Sequence, residues 1–540
     1  MMEKEEKQIK RKPKKEETIQ TQPKNSKNKI ENILVSKWFH ILIIVLGSIF
    51  ILLGAFHTEV WFDESYTIAL VSHNISDIIR IDSNDVHPVL YYLLLKAATC
   101  IFGNSILVAR LFSVFAGIIV GILGFTHIRK DFGPKVGLAF SFLMYFLPFM
   151  CMYGMEIRMY SWTMLFTTLS GIYAYRSIKY DKKRNWFLFA MFSLCAAHCH
   201  YYGLVAVAIV NALLLFHILF SKKLYEEKIP YYTSYENFLE QKKKLKKKYI
   251  IRFLVSAIIE IIGYLPWLFI FLTQAGKVSE SYWIPFNWQD SIAAPLGVQF
   301  NGRLSVTISA IFALIMYIYL IYKVICLKKQ KQNLIIIWYC LLVHFILFFS
   351  MLLVTIFIRP IMYYRYMLIT SGIFLFPFAY VLLNNPTKMQ KIISSIVVII
   401  ILGLSIYNNS IIINENYDKT NGEEISYIKE QYQEGDIILY GDYFHASNIF
   451  VQMPEYNWYL YHIDPNHDVT PFENYSPPLK IIFEEEFLEN YHGRIILIDH
   501  EGLEWYNEMA EKYDLKEIAK KKIRPKYRGF VYQIITVEKE

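Results

Sequence analysis

The sequence predicts a polytopic α-helical membrane protein that carries a small C-terminal α/β domain. Composition, hydropathy and a series of long apolar runs support this fold class. Of the 540 residues, 54% are hydrophobic and only 19% are charged, whereas a typical soluble chain has about 25% charged residues. The mean hydropathy is positive at +0.28, although the net charge is +9. This combination is typical of membrane proteins with basic cytoplasmic loops and excludes a disordered chain or a disulfide scaffold.

About eleven apolar runs are candidates for membrane-spanning helices, which need roughly 20 mostly apolar residues. They lie near residues 38–56, 105–127, 136–152, 160–178, 186–202, 203–220, 251–272, 303–326, 333–358, 366–384 and 391–409. Residues 1–37 are polar and Lys-rich, which predicts a disordered tail. Because this tail is longer than the charged start of a cleavable signal peptide, we expect the first apolar run to be a retained anchor.

The charge of the connecting loops predicts the orientation in the membrane. Alternate loops are basic, including the Lys-rich stretch 222–248, and we expect them to face the cytoplasm together with the N-terminus. The other loops are poor in Lys and should face outward; they lie near 57–104, 152–160, 198–203, 273–302 and 359–365. An odd number of spans then places residues 411–540 outside the cytoplasm. This segment has a net charge of −12, which leaves +21 for the first 410 residues.

Residues 411–540 are expected to form their own α/β domain, because short strand and helix patterns alternate there. Strands are predicted at Asp436–Tyr440, Arg494–Asp499 and Phe530–Val537, and helices at Glu423–Tyr432, Glu484–Tyr491 and Leu503–Tyr513. The sequence thus divides into a basic cytoplasmic tail (1–37), a membrane domain (38–410) and an extracytoplasmic domain (411–540). All six cysteines lie in or beside apolar runs, which indicates buried small hydrophobes and not a disulfide framework.

Short polar and aromatic motifs are concentrated in the outward loops. The first loop region contains Trp61–Phe62–Asp63–Glu64, Asp85–Val86–His87–Pro88, Leu90–Tyr91–Tyr92, Phe102–Gly103 and Arg110–Leu111. The later regions contain Glu156–Ile157–Arg158–Met159–Tyr160, His200–Tyr201–Tyr202–Gly203, Leu265–Pro266–Trp267, Gln274, Tyr282–Trp283, Arg359–Pro360 and Tyr363–Tyr364–Arg365–Tyr366.

Taken in this order, the motifs resemble those of the GT-C class of membrane glycosyltransferases over about residues 59–370. The resemblance is to the branch that contains protein O-mannosyltransferases and the lipid A aminoarabinose transferase. Val89 departs from the family, which usually has a second proline there, and no motif covers residues 411–540. The resemblance implies a GT-C fold and a hexosyl- or mannosyltransferase-like activity. The donor would be a polyprenyl-phosphate-linked sugar, and the acceptor a glycan, lipid or protein on the outer face of the cytoplasmic membrane.

The same resemblance implies roles for individual residues. Asp63 would be the base that deprotonates the acceptor, and Glu64 would have an orienting role or contact the acceptor. An aspartate is normally ionised at neutral pH and can accept a proton as the glycosyl bond breaks. Residues expected to contact the donor or its phosphate are Asp85, His87, Arg158, Tyr160, His200, Tyr201, Arg359, Arg365 and Tyr366. Considered alone, an acidic pair at a helix start is equally explained by the helix macrodipole.

Arginines suit a phosphate leaving group because the guanidinium fork matches phosphate geometry and stays protonated. An arginine at a membrane boundary can also simply reach toward lipid headgroups. Asp63, Asp85 and His87 could coordinate a divalent ion, but the resembled branch does not generally require a metal, so no metal or other cofactor is predicted. The segment Cys195–His200 lacks the two separated ligand pairs of a zinc site, and packing is its simpler explanation.

Two other functions fit part of the sequence. A transporter or flippase of lipid-linked sugars would need ionisable residues within the spans, and Glu260 is one such residue. A non-catalytic surface receptor would use residues 411–540 to bind its ligand, but it would leave the motifs of the first loop unexplained. Nucleic acid is not an expected partner, because the Lys-rich stretch 222–248 is explained by topology and by contact with anionic lipid.

Overall fold

The computed structural model describes residues 29–280, 284–330, 332–441, 443–461, 470–482, 485–499 and 504–539. Helices form the chain as far as Asn416, and a sheet flanked by helices forms most of the remainder. The predicted fold class, a helical membrane part followed by a small α/β domain, is therefore confirmed. Residues 1–28 of the predicted tail and the motif Tyr282–Trp283 lie outside the described residues.

Each predicted apolar run coincides with a helix. These helices are Lys37–Leu52, Ile106–Leu123, Pro134–Phe146, Tyr160–Tyr180, Lys183–Cys199, Tyr201–Phe220, Tyr235–Glu280, Val306–Lys329, Ile335–Phe357, Ser371–Leu382 and Lys388–Asn416. Within the described part of the chain, seven helical segments are long and apolar enough to cross a membrane by length and composition. The number of eleven spans stays a prediction.

Local residue chemistry explains where two of these helices meet. His200 has an extended backbone, and its Nδ1 accepts a hydrogen bond from the Tyr202 N–H at 3.0 Å. This side chain caps the helix Tyr201–Phe220, whose first N–H groups have no partner within the helix. The long apolar stretch 186–220 is therefore divided into two helices, as the sequence predicts, and the break lies at a motif residue.

The first outward loop is helical and not an open polar loop. It consists of the helices Phe62–Ser72, Ile75–Asn84 and Leu90–Phe102. Asn74 caps the second of these by accepting a hydrogen bond from the Asp77 N–H at 3.0 Å. Because its candidate functional residues are held on or beside helices, the loop provides a rigid support for a site.

The C-terminal domain contains a six-stranded sheet. Its strands are β1 (Ile437–Tyr440), β2 (Trp458–Tyr461), β3 (Lys480–Ile482), β4 (Gly493–Asp499), β5 (Lys516–Ile523) and β6 (Tyr532–Lys539). The spatial order is β3-β2-β1-β4-β6-β5, with the first four strands parallel and β6 antiparallel to both neighbours. The flanking helices are Glu423–Gln431, Tyr443–Phe450, Glu485–Asn490 and Glu504–Tyr513.

Side chains of this domain contact the first outward loop directly. The Ser65 hydroxyl donates a hydrogen bond to Oγ of Ser447 at 3.1 Å. The Asn474 side-chain amide donates to the Tyr66 carbonyl at 3.2 Å. The C-terminal domain is therefore packed against the loop that carries Asp63.

The last long helix, Lys388–Asn416, runs past the predicted domain boundary at residue 410.

Candidate active site

The structure brings the first and last predicted motifs into contact. Asp63 lies in the first turn of the helix Phe62–Ser72, where the helix dipole favours a negative charge. Its Oδ2 accepts a hydrogen bond from Nη2 of Arg365 at 2.7 Å. Arg365 is 302 residues away in the sequence, at the start of the short 3-10 helix Tyr364–Thr370. The Asp63 side chain is 16% exposed and the Arg365 side chain is 8% exposed, so water has little access to this ion pair.

Aromatic rings surround the Arg365 guanidinium. Its central carbon lies 4.9 Å from the ring centroid of Trp61, 4.8 Å from that of Tyr363 and 6.0 Å from that of Tyr160. These distances are within the range of cation–π attraction. The rings therefore stabilise the buried cation and restrict its position beside Asp63.

Arg158 reaches the same aspartate from a different loop. It is buried, and its Nη1 lies 3.3 Å from the Asp63 carbonyl oxygen, to which it donates a hydrogen bond. The same nitrogen also donates to the hydroxyls of Thr67 at 3.2 Å and Tyr92 at 3.4 Å. Arg158 thus connects the helix of Asp63 to the helix Leu90–Phe102.

A third arginine, Arg528, comes from the C-terminal domain and was not predicted. Its guanidinium carbon lies 4.2 Å from the ring centroid of Trp61, and its Nη2 donates to Oε1 of Glu156 at 2.7 Å. Burial raises the pKa of Glu156, and the neighbouring Arg528 only partly offsets that rise. The sequence held one signal for Arg528, since residues 516–528 are basic within an otherwise acidic domain.

These three arginines have unused hydrogen-bond donors. The Nε atoms of Arg158, Arg365 and Arg528 are buried and have no hydrogen-bond partner among the described residues. A buried donor that stays unpaired costs about 1–3 kcal/mol. Because all three side chains contact Asp63 or Trp61, the arrangement is suited to an anionic ligand that supplies the missing acceptor oxygens.

Two histidines and two tyrosines form an aromatic cluster next to the arginines. The ring centroids of His87 and His200 are 5.4 Å apart, and those of His200 and Tyr366 are 5.1 Å apart. Tyr160, the second tyrosine, connects the cluster to Arg365: its ring centroid lies 6.4 Å from that of Tyr366 and 6.0 Å from the Arg365 guanidinium carbon. Burial lowers the pKa of His87 well below its ordinary value, and Arg158 lowers it further. The surroundings of His87 therefore favour its neutral imidazole form.

Two further carboxyl groups interact electrostatically with Arg158. Asp85 follows the helix Ile75–Asn84, and burial raises the pKa of its carboxyl group despite the opposing effect of Arg158. Asp82, which was not predicted, is fully buried, and both burial and Asp85 raise its pKa well above the ordinary value. Within the described part of the chain, no group of three or more His, Cys, Asp or Glu side chains could hold a metal ion.

Glu64 points away from Asp63 and is fully buried. Its Oε1 accepts hydrogen bonds from Nη1 of Arg110 at 2.8 Å and from the Ile157 N–H at 2.9 Å. Its Oε2 accepts from the hydroxyl of Tyr527 at 3.2 Å. These contacts join the first loop, the loop before Arg158 and the C-terminal domain.

The remaining predicted residues have other surroundings. The Tyr201 hydroxyl donates to the Gln274 side chain and accepts from Nε1 of Trp267 at 3.2 Å, so Tyr201 contacts the long helix Tyr235–Glu280. Arg359 follows the helix Ile335–Phe357, and its backbone N–H donates a hydrogen bond to the Val354 carbonyl. Glu260, the residue on which the transporter alternative rests, accepts from the Asn211 amide at 2.8 Å.

Comparison with known proteins supports the predicted resemblance. Residues 86–237 match a family described as dolichyl-phosphate-mannose-protein mannosyltransferase, whereas Asp63 and Arg365 lie outside the matched segment. No curated protein sequence matches the chain. Crystal structures of ArnT from Cupriavidus metallidurans are similar in the apo state, with a TM-score of 0.54, and bound to undecaprenyl phosphate, with a TM-score of 0.58.

Both ArnT structures share 10% sequence identity with this chain, and the similarity covers 92% of this chain and 97% of the ArnT chain. At this level of identity, the similarity concerns the fold. The resemblance inferred from the motifs is confirmed: this chain has an ArnT-like GT-C fold and resembles the dolichyl-phosphate-mannose-protein mannosyltransferase family over residues 86–237.

Proposed function

We propose that this protein is a glycosyltransferase that moves a sugar from a polyprenyl-phosphate donor to an acceptor hydroxyl on the outer face of the cytoplasmic membrane. The observation that carries the proposal is the Asp63 carboxylate beside buried arginines that keep unpaired Nε–H donors. One of the structurally similar ArnT proteins was crystallised with undecaprenyl phosphate, which supports a lipid of this class as the donor.

The proposed reaction is a single displacement. Asp63 accepts the proton of the acceptor hydroxyl while the acceptor oxygen forms a bond to the anomeric carbon of the sugar. The bond from that carbon to the phosphate oxygen breaks, and its electron pair leaves with the lipid phosphate. A direct displacement of this kind inverts the configuration at the anomeric carbon.

Arginines would stabilise the negative charge that develops on the leaving phosphate. A preorganised cation in a site with little water lowers the energy of such a transition state without reorganising solvent. Arg365 combines two tasks in this proposal, because it orients Asp63 through Nη2 and has a buried Nε–H for a phosphate oxygen. Arg158 and Arg528 would contribute further donors of the same kind.

Of the two roles expected for Glu64, an orienting role and an acceptor contact, this proposal favours the first. Both of its carboxylate oxygens already accept hydrogen bonds from the protein. We therefore propose that Glu64 is a positioning residue, which holds the start of the helix Phe62–Ser72 through Arg110. The acceptor would approach Asp63 from the side that is not occupied by Glu64.

The orientation and domain limits belong to the same proposal. The basic loops would place the N-terminus and residues 1–37 in the cytoplasm, and residues 38–410 would form the catalytic membrane domain. Residues 411–540 would lie outside and cover the site through Arg528. The acceptor class stays open among glycan, lipid and protein, and a hexose such as mannose is the first donor sugar to test.

Transfer can be tested with the full-length protein in proteoliposomes. A panel of polyprenyl-phosphate-linked sugars is added, and the release of polyprenyl phosphate and the glycosylated product are followed by mass spectrometry. Mass spectrometry of surface glycans and lipids from cells with and without the protein identifies the acceptor. Movement of an intact donor across the bilayer without any product would contradict the proposal and favour a flippase.

Replacing Arg365 by alanine is expected to lower donor use by about 10- to 100-fold, because a hydrogen bond to a charged group contributes about 1.5–3 kcal/mol. Insertion into the membrane and elution in detergent should be unchanged. Arg365→Lys keeps the charge but loses the guanidinium fork, so it should recover only part of the activity. Kinetic constants equal to those of the unmodified protein would remove Arg365 from the site.

Replacing Arg528 by alanine tests the contribution of the C-terminal domain. We expect the KM for the donor to rise about tenfold, because the variant loses one charge-assisted contact to the phosphate. Arg524→Ala is the matched control, since Arg524 is an exposed arginine of the same segment. If both variants have the same KM, Arg528 has no role in donor binding.

A further inference from the structure

A cavity lies at the opposite end of the helical bundle from Asp63. Its volume is about 630 Å³, which is within the range typical of ligand pockets. Most of its wall is apolar and comes from four helices, with Ile172, Leu213, Val343 and Phe376 as representatives. A space of this size between helices in a membrane would be occupied by hydrocarbon.

The helix Tyr160–Tyr180 determines how far this cavity lies from the active site. The helix begins at Tyr160, beside Arg365, and reaches the rim of the cavity at Lys179. At 1.5 Å per residue, this separation is roughly 30 Å, which equals the thickness of the hydrocarbon core of a bilayer. The rim of the cavity at Lys179 therefore lies about one hydrocarbon thickness from the end of the helix beside Arg365, and the cavity wall extends back along the helix as far as Thr168.

The rim of the cavity has an excess of positive charge. Lys179, Lys223 and Lys228 line it, together with the carboxylates of Asp131 and Glu227. Asp131 is already neutralised, because its Oδ2 accepts a hydrogen bond from Nε of Arg176 at 2.6 Å. Glu227 is 3.9 Å from Lys223.

The Lys228 ammonium group donates a hydrogen bond to the Lys179 carbonyl at 2.6 Å. Burial lowers the pKa of the Lys228 ammonium group, although Asp181 and Glu227 partly offset the shift. A nearby anion would therefore favour the protonated form of Lys228. The rim thus combines an apolar interior with cationic groups that are suited to a negatively charged headgroup.

We propose that this cavity is a binding site for a lipid whose phosphate headgroup carries a net negative charge, with the hydrocarbon chain in the apolar interior and the phosphate beside Lys223 and Lys228. An anionic glycerophospholipid and a polyprenyl phosphate share this chemistry. The site is distinct from the proposed catalytic site, so its existence does not depend on sugar transfer.

The charge of the rim can be tested by native mass spectrometry of the full-length protein in detergent. Phosphatidylglycerol, phosphatidylcholine and a 55-carbon polyprenyl phosphate are supplied separately. We expect both anionic lipids to be retained in preference to the zwitterionic phosphatidylcholine, and the better retained of the two identifies the source. Lys223→Glu should lower their retention by about fivefold or more.

Lys222→Glu is the matched control, because Lys222 is exposed on the same short helix as Lys223, Lys222–Lys228, but does not line the cavity. It makes the same charge change one residue away and should leave retention unchanged. An equal loss in both variants would indicate general attraction to a basic surface and overturn the proposed site. Equal retention of phosphatidylcholine and phosphatidylglycerol by the unmodified protein would overturn it as well.

The apolar part is tested by filling the cavity. Ala174 lies in its wall, and Ala174→Trp should remove the bound lipid, whereas Ala310→Trp on the exposed side of Val306–Lys329 should not. Thermal melting establishes whether both variants are folded. If a folded Ala174→Trp protein retains lipid normally, the lipid is not in this cavity. If that variant fails to fold, the comparison of lipid retention between Lys223→Glu and Lys222→Glu is the test of the site.

Discussion

Replacing Asp63 by asparagine is expected to reduce sugar transfer by about 10²- to 10⁴-fold, the usual contribution of a general base. Asparagine has nearly the same shape as aspartate and can still contact Arg365, but its amide cannot take the proton of the acceptor hydroxyl. The loss should therefore appear in kcat, with a smaller effect on the KM for the donor. The measurement is the rate of polyprenyl phosphate release in proteoliposomes.

Asp77→Asn is the matched control for this variant. Asp77 is an exposed carboxylate in the same loop region, on the helix Ile75–Asn84, and it forms an ion pair with Arg80. Its replacement should leave the transfer rate within about twofold of the unmodified protein, since exposed ion pairs contribute little. Full activity of Asp63→Asn would exclude Asp63 as the base and would reject the proposed mechanism.

Replacing Arg110 by methionine is expected to lower the free energy of unfolding by about 3–5 kcal/mol, the cost of breaking a buried ion pair from one side. Arg110 and Glu64 have side chains that are 1% and 0% exposed. Without Arg110, the Glu64 carboxylate would stay buried with an uncompensated charge. Arg110 also donates to the Glu59 carbonyl at 2.6 Å, so the helix Ile106–Leu123 would lose its connection to the first loop.

Thermal unfolding of the purified protein in detergent measures this loss. Lys244→Met is a suitable control, because Lys244 is 77% exposed and pairs with Glu240 of its own helix, so the expected change is within about 0.5 kcal/mol. The double variant Glu64→Gln, Arg110→Met removes both charges and should recover part of the stability. Equal melting temperatures for Arg110→Met and Lys244→Met would show that the pair contributes little.

The helical part of the fold was well predicted because its signal is local. Each apolar run is a property of about 20 neighbouring residues, and each coincides with a helix. The break at His200 was also visible as a polar motif between two runs. The helices of the first loop were not predicted, because their amphipathic pattern is short and lies within a polar stretch.

The sheet of the C-terminal domain was predicted only in part. Strands β1, β4 and β6 are apolar and correspond to the three predicted strands. Strand β1 is a short run of four buried residues, whereas β2 alternates between buried and half-buried residues and β3 has only three residues, one of them exposed. Strand β5 is a Lys-rich edge strand with mostly exposed residues. Its pairing with β6 is therefore decided by tertiary contact and not by the hydrophobicity of its own residues.

The sequence by itself determined the helical runs, the α/β character of the last domain and the set of motifs from which the site is built. Only the tertiary structure decided which motif residues meet. It pairs Asp63 with Arg365, directs Glu64 toward Arg110, and brings Arg528 against Trp61. Hydropathy and motif spacing depend on residues that are neighbours in the chain, whereas these contacts depend on how distant segments pack, and that packing is not visible in any local pattern.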